Sequence, residues 1–196
     1  MTRGRTLAED EGWATNELLR RAQQGDHAAF EQIASVIARR LYATASLIVR
    51  ENDAASDAVQ ETLIEVWRNL AALRDLDSFE AWARRILVRR CYRAIAASRR
   101  RRVEVDVLEK DQPTASHERS VGESDVLERA FRRLSPEHRA VLVLHHRNGL
   151  ELAELADTLQ IPLGTVKSRL NRAALALRAA LDAENRIPSP LQGQTV

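Results

Sequence analysis

The sequence predicts an all-α protein: two small helical domains joined by a flexible acidic linker, the C-terminal one a helix-turn-helix. Three observations carry this. Ala, Leu and Arg abound, while the 196 residues hold few aromatics and only seven glycines. Apolar residues recur every three or four positions, the spacing of one helix face, rather than every two. The charge inverts once along the chain, and prolines and glycines gather where it does.

In order, residues 1–12 are polar and mixed in charge and read as a loosely ordered tail. The first domain spans 13–102. Trp13 to Gln23 reads as a short helix with Leu18, Leu19 and Ala22 inward, ended by Gly25. Asp26 is placed to cap a second helix, whose stripe is Phe30, Ile33, Ile37, Leu41, Ala45 and Ile48. After Glu51-Asn52-Asp53 a third helix sets Val59, Leu63, Val66, Trp67 and Leu70 on one face. Asp57, Gln60, Glu61 and Glu65 fall largely outside that face. A loop over Arg74 to Asp77 leads to Ser78, the expected cap of a fourth helix with Phe79, Trp82, Ile86 and Leu87.

That fourth helix carries nine arginines and no acid between Arg84 and Arg102. A helix dipole accounts for one or two cations at a C-terminal end, not for nine. Mutual repulsion makes such a segment unfavourable unless a polyanion neutralises it, which points to nucleic acid. Arg85, Arg89 and Arg93, four apart on one side, are the phosphate candidates. Positive charge is almost all guanidinium, with Lys110 and Lys167 the only lysines. A planar donor fork suits phosphates and base edges, although a GC-rich genome produces the same bias.

Residues 103–124 invert the composition: Glu104, Asp106, Glu109, Asp111, Glu118 and Glu123 outnumber Lys110 and Arg119. With Pro113 and Gly122 among them, they read as a flexible acidic linker. Helical spacing resumes over 125–183 with Val126, Leu127, Ala130, Phe131 and Leu134. Ser135 and Pro136 then start another helix, which Asn148-Gly149 stops. A short helix holds Leu152, Leu155, Ala156 and Leu159, and a turn runs from Gln160 to Gly164. Thr165 is the expected cap of a last helix, with Val166, Leu170, Ala174 and Leu177 inward. Lys167, Ser168, Arg169, Asn171 and Arg172 face out. Two short helices, a turn and a polar-basic second helix are the sequence form of a duplex-DNA reader. Residues 184–196, with Pro188 and Pro190, read as a disordered tail.

Several classes are disfavoured. A single cysteine, Cys91, excludes an internal disulfide and the usual cysteine-based zinc sites, and no metal site is expected. Neither a glycine-rich phosphate loop nor a nucleophile–base set is present, so no cofactor and no enzymatic activity are expected. No apolar run has the length of a membrane span or the form of a signal peptide, and a cytoplasmic protein is expected. Cys91 itself reads as a small buried hydrophobe rather than a redox sensor.

The order of parts resembles the bacterial sigma factors, specifically the two-domain extracytoplasmic-function (ECF) class. The resemblance rests on Arg21 to Phe30, Asp57-Ala58-Val59-Gln60-Glu61-Thr62-Leu63, Glu65-Val66-Trp67, Ser78-Phe79-Glu80-Ala81-Trp82 and Ile161 to Leu170, and covers about Leu18 to Leu181. It implies that the first domain is region 2 and the second region 4. It implies core RNA polymerase as partner, through the clamp helices of the largest subunit and the flap of the second-largest, together with promoter DNA and an anti-sigma factor. Asp57, Gln60, Glu61 and Glu65 would then meet the polymerase. Asn69, Leu76, Asp77 and Ser78 would form the pocket of a minus-ten strand-capturing loop, with Arg85, Arg89 and Arg93 on the backbone. Lys167, Ser168, Asn171 and Arg172 would enter the major groove of the minus-thirty-five element, and Thr165 and Arg169 would hold phosphates.

Four positions depart from the family pattern. Ala54-Ala55-Ser56-Asp57 stands where the family has Asp-Ala-Glu-Asp, removing two acids from the docking surface, and phosphorylation of Ser56 or Thr62 would restore charge. Glu151 replaces a Ser or Thr cap, and Gln160 stands where the turn has Gly. Two other readings compete. One is a stand-alone helix-turn-helix regulator whose first domain dimerises or binds a ligand. The other is a sigma mimic that sequesters an inhibitor, which would have lost the basic residues kept here.

Overall fold

The computed structural model describes residues 16–108 and 123–185, and every element in it is helical. The expected 1–12 tail, Trp13, linker residues 109–122 and residues 186–196 lie outside the described residues. The chain divides into two compact units, the first built mainly from the helices before Ala97 and the second mainly from those after it.

In the first unit, α1 covers residues 16–23 and buries Leu19 and Ala22. Gly25, at φ +93°, turns the chain where a side chain would be strained. Asp26 caps α2 (His27–Val49) by accepting from the Ala29 N–H at 3.0 Å, and Arg21 pairs with the same carboxylate at 2.6 Å. The expected stripe of α2 is buried from Ile33 to Ile48. It packs on α3 (Asn52–Asn69), whose Ala54, Ala55 and Ala58 are small enough for a close approach. Two 3₁₀ turns, Leu70–Ala72 and Leu76–Ser78, link α3 to α4 (Phe79–Leu108). Phe79, Ile86, Leu87 and Cys91 form the buried stripe of α4.

Two boundaries move. Asp75, not Ser78, is the side chain that accepts a backbone N–H here, from Asp77, while the Ser78 hydroxyl donates back to the Asp75 carbonyl. And α4 continues past Arg102 to Leu108. The change of charge at Val103 marks no helix end, because no Gly or Pro occurs before Pro113.

The second unit holds α5 (Glu123–Arg132), α6 (Pro136–Leu142), the start of α7 (Leu152–Leu159) and α8 (Leu163–Asn185), with α5 and α6 packed on α8. Ser135 caps α6 as expected, accepting from His138 N–H, with Pro136 in the first turn. A π turn, Val143–Arg147, extends α6, and Gly149 at φ +69° ends it. The Glu154 carboxylate accepts from the Glu151 N–H at 2.7 Å, the returning half of a capping box, so α7 starts well without a Ser or Thr.

The structure corrects three expectations in α8. It begins at Leu163, immediately after Pro162, so Thr165 lies in its first turn and its N–H reaches the Pro162 carbonyl. Ala173 rather than Ala174 is buried. The helix also runs through 184 instead of fraying, because the buried Glu184 carboxylate receives Arg129 of α5 at 2.7 Å and Arg133, in the turn just after α5, at 2.6 Å. Gln160 adopts the left-handed φ of +55° that glycine would take, and its amide donates to the Asp157 carbonyl at 2.6 Å.

Candidate nucleic-acid and polymerase interfaces

The outward row on α3 is real but shorter than its spacing suggests. Asp57, Gln60 and Glu61 are exposed. Glu65 is not free: its two oxygens take Arg89 and Arg90 of α4, each at 2.6 Å, and Arg90 also reaches Glu61 at 2.8 Å. The expectation that Glu65 stands outward is thereby corrected, since a carboxylate one turn from Glu61 faces two guanidinium groups. Ile64, half exposed beside Gln60 and Glu61, is an apolar member of this face that charge patterning missed. Of the two acids absent relative to the family, one would have stood at the exposed Ser56 and the other at the buried Ala54. Thr62 is fully buried and donates to the Ala58 carbonyl at 2.6 Å, so it offers no accessible hydroxyl for modification. Trp67 anchors the end of α3, with ring centroids 4.5 Å from His27 and 4.8 Å from Phe30.

The arginines of α4 therefore do have counter-charges, supplied from outside the basic run. Glu80 takes Arg84 at 3.3 Å and Arg40 of α2 at 3.1 Å. Arg90, unremarked in the sequence, sits at the centre of the network, and Glu65 foremost holds its guanidinium above the usual arginine range. Of the phosphate candidates, Arg93 is exposed, Arg89 is half exposed on Glu65, and Arg85 is half buried. Arg93 and Arg85 make no ion pair among the described residues. Cys91, on the buried side of this helix, has its thiol pushed up to about 12 by burial, which leaves it an inert small hydrophobe.

Between α3 and α4 the loop is knitted together. Asn69 donates to the Glu65 carbonyl at 2.8 Å and closes α3. The Gln23 amide of α1 donates to the carbonyls of Leu70 (3.0 Å) and Leu73 (2.7 Å). Asn16 donates to the Asp77 carboxylate at 2.9 Å. Asn69 and Asp77 are exposed, and Leu76 and Ser78 half buried, so the four candidate pocket residues share one short surface loop.

On α8, Lys167, Ser168, Asn171 and Arg172 are exposed together, opposite the buried Val166 and Ala173. Arg172 donates only locally, to the Ser168 carbonyl at 3.2 Å, and Ser168 to the Thr165 carbonyl at 3.0 Å. Thr165 and Arg169 are half buried. Burial pushes the Glu137 carboxyl up, but its own backbone, the Ser135 hydroxyl and the Arg169 charge outweigh this and hold it low. Arg169 thus has a neighbour inside the fold as well as a position beside the reading face. Arg139, almost fully buried, donates to the Leu134 carbonyl at 2.7 Å and fixes the α5–α6 corner; a charged residue on an apolar stripe gave no sequence signal for this.

Residues 35–101 match the family model for Sigma-70 region 2, and residues 130–179 that for Sigma-70, region 4. The ECF RNA polymerase sigma factor SigM of Mycobacterium tuberculosis is 32% identical over 84% of this chain and 83% of its own. The RNA polymerase sigma-H factor of Pseudomonas aeruginosa is 28% identical over 84% of this chain and 92% of its own. Among solved structures, the sigma factor RpoE in complex with the anti-sigma factor NepR from Bartonella quintana superposes with a TM-score of 0.62. It is 26% identical and covers 78% of this chain and 96% of that one. CnrH in complex with the cytosolic domain of CnrY gives 0.62 at 26% identity, over 87% and 98%. A helical promoter-recognition architecture of two units defines the class, and the chain belongs to the ECF sigma factors of bacterial RNA polymerase. It is a transcription initiation factor that binds core polymerase and directs promoter recognition, not a stand-alone regulator. No helix among the described residues is long and apolar enough to cross a membrane.

Proposed function

We propose that the three surfaces divide the work of initiation. The exposed Asp57, Gln60 and Glu61 with Ile64 dock on the clamp helices of the polymerase, acids meeting basic partner groups around an apolar centre. The Asn69–Phe79 loop captures a base of the separated minus-ten strand, with Arg93 foremost, then Arg89 and Arg85, along its backbone. Lys167, Ser168, Asn171 and Arg172 read the minus-thirty-five duplex, with Thr165 and Arg169 on phosphates. The domain limits that go with this reading are 13–102, 103–124 and 125–183. The factor works in the cytoplasm, has no catalysis of its own, and is restrained by an anti-sigma factor, in keeping with the similar RpoE of Bartonella quintana, which is seen in complex with the anti-sigma factor NepR.

The observation that carries the reading is the uncommitted polar face of α8, set on a family match to region 4. Run-off transcription with purified core polymerase on promoter templates tests it. A transcript that requires this protein and is lost with Asp57→Arg/Glu61→Arg supports the division. No transcript and no co-purification with core would defeat it.

A further inference from the structure

We propose that Gln23, assisted by Asn16, is a positioning residue that holds the strand-capturing loop in its reading conformation without touching DNA. This rests on the reading of the Asn69–Phe79 loop given above.

Residues 16 and 23 are seven apart on α1, nearly two full turns, so they project from the same side about 10 Å apart along the axis. From that side each reaches a different limb of the loop. Gln23 donates one amide to two carbonyls on the first limb, Leu70 at 3.0 Å and Leu73 at 2.7 Å. Asn16 donates to the Asp77 carboxylate on the second limb at 2.9 Å. Both loop limbs also bond internally: Leu73 N–H to the Leu70 carbonyl, Asp77 N–H to Asp75, and the Ser78 hydroxyl to the Asp75 carbonyl. These local bonds shape each 3₁₀ turn but leave open how the two turns sit against α1. Among the described residues, the side-chain hydrogen bonds from α1 to this loop come from these two amides.

The chemistry matches the position. The Leu73 carbonyl lies just beyond the first 3₁₀ turn, where the helical bond pattern has ended. Gln23, half buried, supplies its donor from a distance that a shorter amide would not span. Losing two part-buried bonds of ordinary strength weakens the loop's preferred conformation by roughly tenfold or more. A pocket that reads a flipped base depends on placement within about 0.5 Å, so its selectivity falls before its bulk affinity does.

The test uses Gln23→Met, which keeps length and removes the donor, and Asn16→Ala, which removes only the exposed tie. Amide hydrogen exchange on the full chain should show residues 70–78 at least about tenfold faster in Gln23→Met, with the buried amides of α2 and α3 unchanged. Holoenzyme assembled from core polymerase is then challenged with a randomised pool of short single-stranded DNA. Gln23→Met should retain core binding and duplex minus-thirty-five preference. Its ratio of best-bound to singly substituted strands should fall about tenfold, with Asn16→Ala moving the same way by less. Unchanged loop exchange in both variants would overturn the proposal, as would an equal loss of affinity for every strand. A wild-type preference that survives both substitutions overturns it while leaving strand capture standing. A wild-type holoenzyme with no preference in the pool sinks the strand-capture reading and this proposal together.

Discussion

In the first unit Glu61, Glu65 and Glu80 meet Arg90, Arg89, Arg84 and Arg40, whereas in the second Lys167 and Arg172 on the outer face of α8 make no ion pair among the described residues. The two surfaces are both arginine-bearing helix faces, yet one is tied to its own fold and the other is held open. Charge density alone would have ranked α4 as the stronger DNA surface. Pairing reverses that ranking for individual residues: Arg90 is a structural tie, Arg89 is shared, and of the two α4 candidates without an ion pair among the described residues only Arg93 is exposed. Where the second unit does use a buried carboxylate, at Glu184, it clamps the end of α8 to α5, about fifteen residues past the reading face. Lys167, Ser168, Asn171 and Arg172 take no part in that clamp.

The sharpest break of this contrast is Arg90→Met. It leaves Glu65, about a quarter exposed, with Arg89 alone and the exposed Glu61 without its partner, and should cost about 2 kcal/mol of first-unit stability, read by urea unfolding. A loss under about 0.5 kcal/mol would make α4 as uncommitted as α8. Arg172→Ala is the converse. It should leave unfolding within about 0.5 kcal/mol of wild type, yet cost about 1–3 kcal/mol at one base position if the contact is bidentate. Binding of holoenzyme to a panel of minus-thirty-five variants distinguishes that from a phosphate anchor, which would weaken every variant equally.

The smallest effect concerns the acid limb. The Ala29 N–H first, and then Arg21, hold the Asp26 carboxyl below its ordinary value of 3.8. A depressed folded pKa means that its contribution is complete above the unfolded value and disappears as pH falls through the folded one. Thermal melts below about pH 4 should therefore show the first unit losing stability, and Asp26→Asn should flatten that dependence. An unaltered acid limb in the variant would place the titration elsewhere.

Much of this was legible in the chain itself. Asp26, Ser135 and Pro136, Gly25 and Gly149 act through neighbours within a turn, so local spacing sufficed to place them. The all-α class, the two helical units and the α8 polar face followed from periodicity for the same reason. The exposure of Lys167, Ser168, Asn171 and Arg172 opposite Val166 is a property of one helix. What escaped was every relation between helices. That Glu65 turns to α4, that Glu184 is buried rather than in a tail, and that Ala173 instead of Ala174 faces inward depend on which element packs alongside. Sequence determined which faces exist, because helix geometry is local. Only the tertiary structure decided which charges on those faces are already spent on one another, because an ion pair between residues 25 or 55 apart is set by packing rather than by spacing.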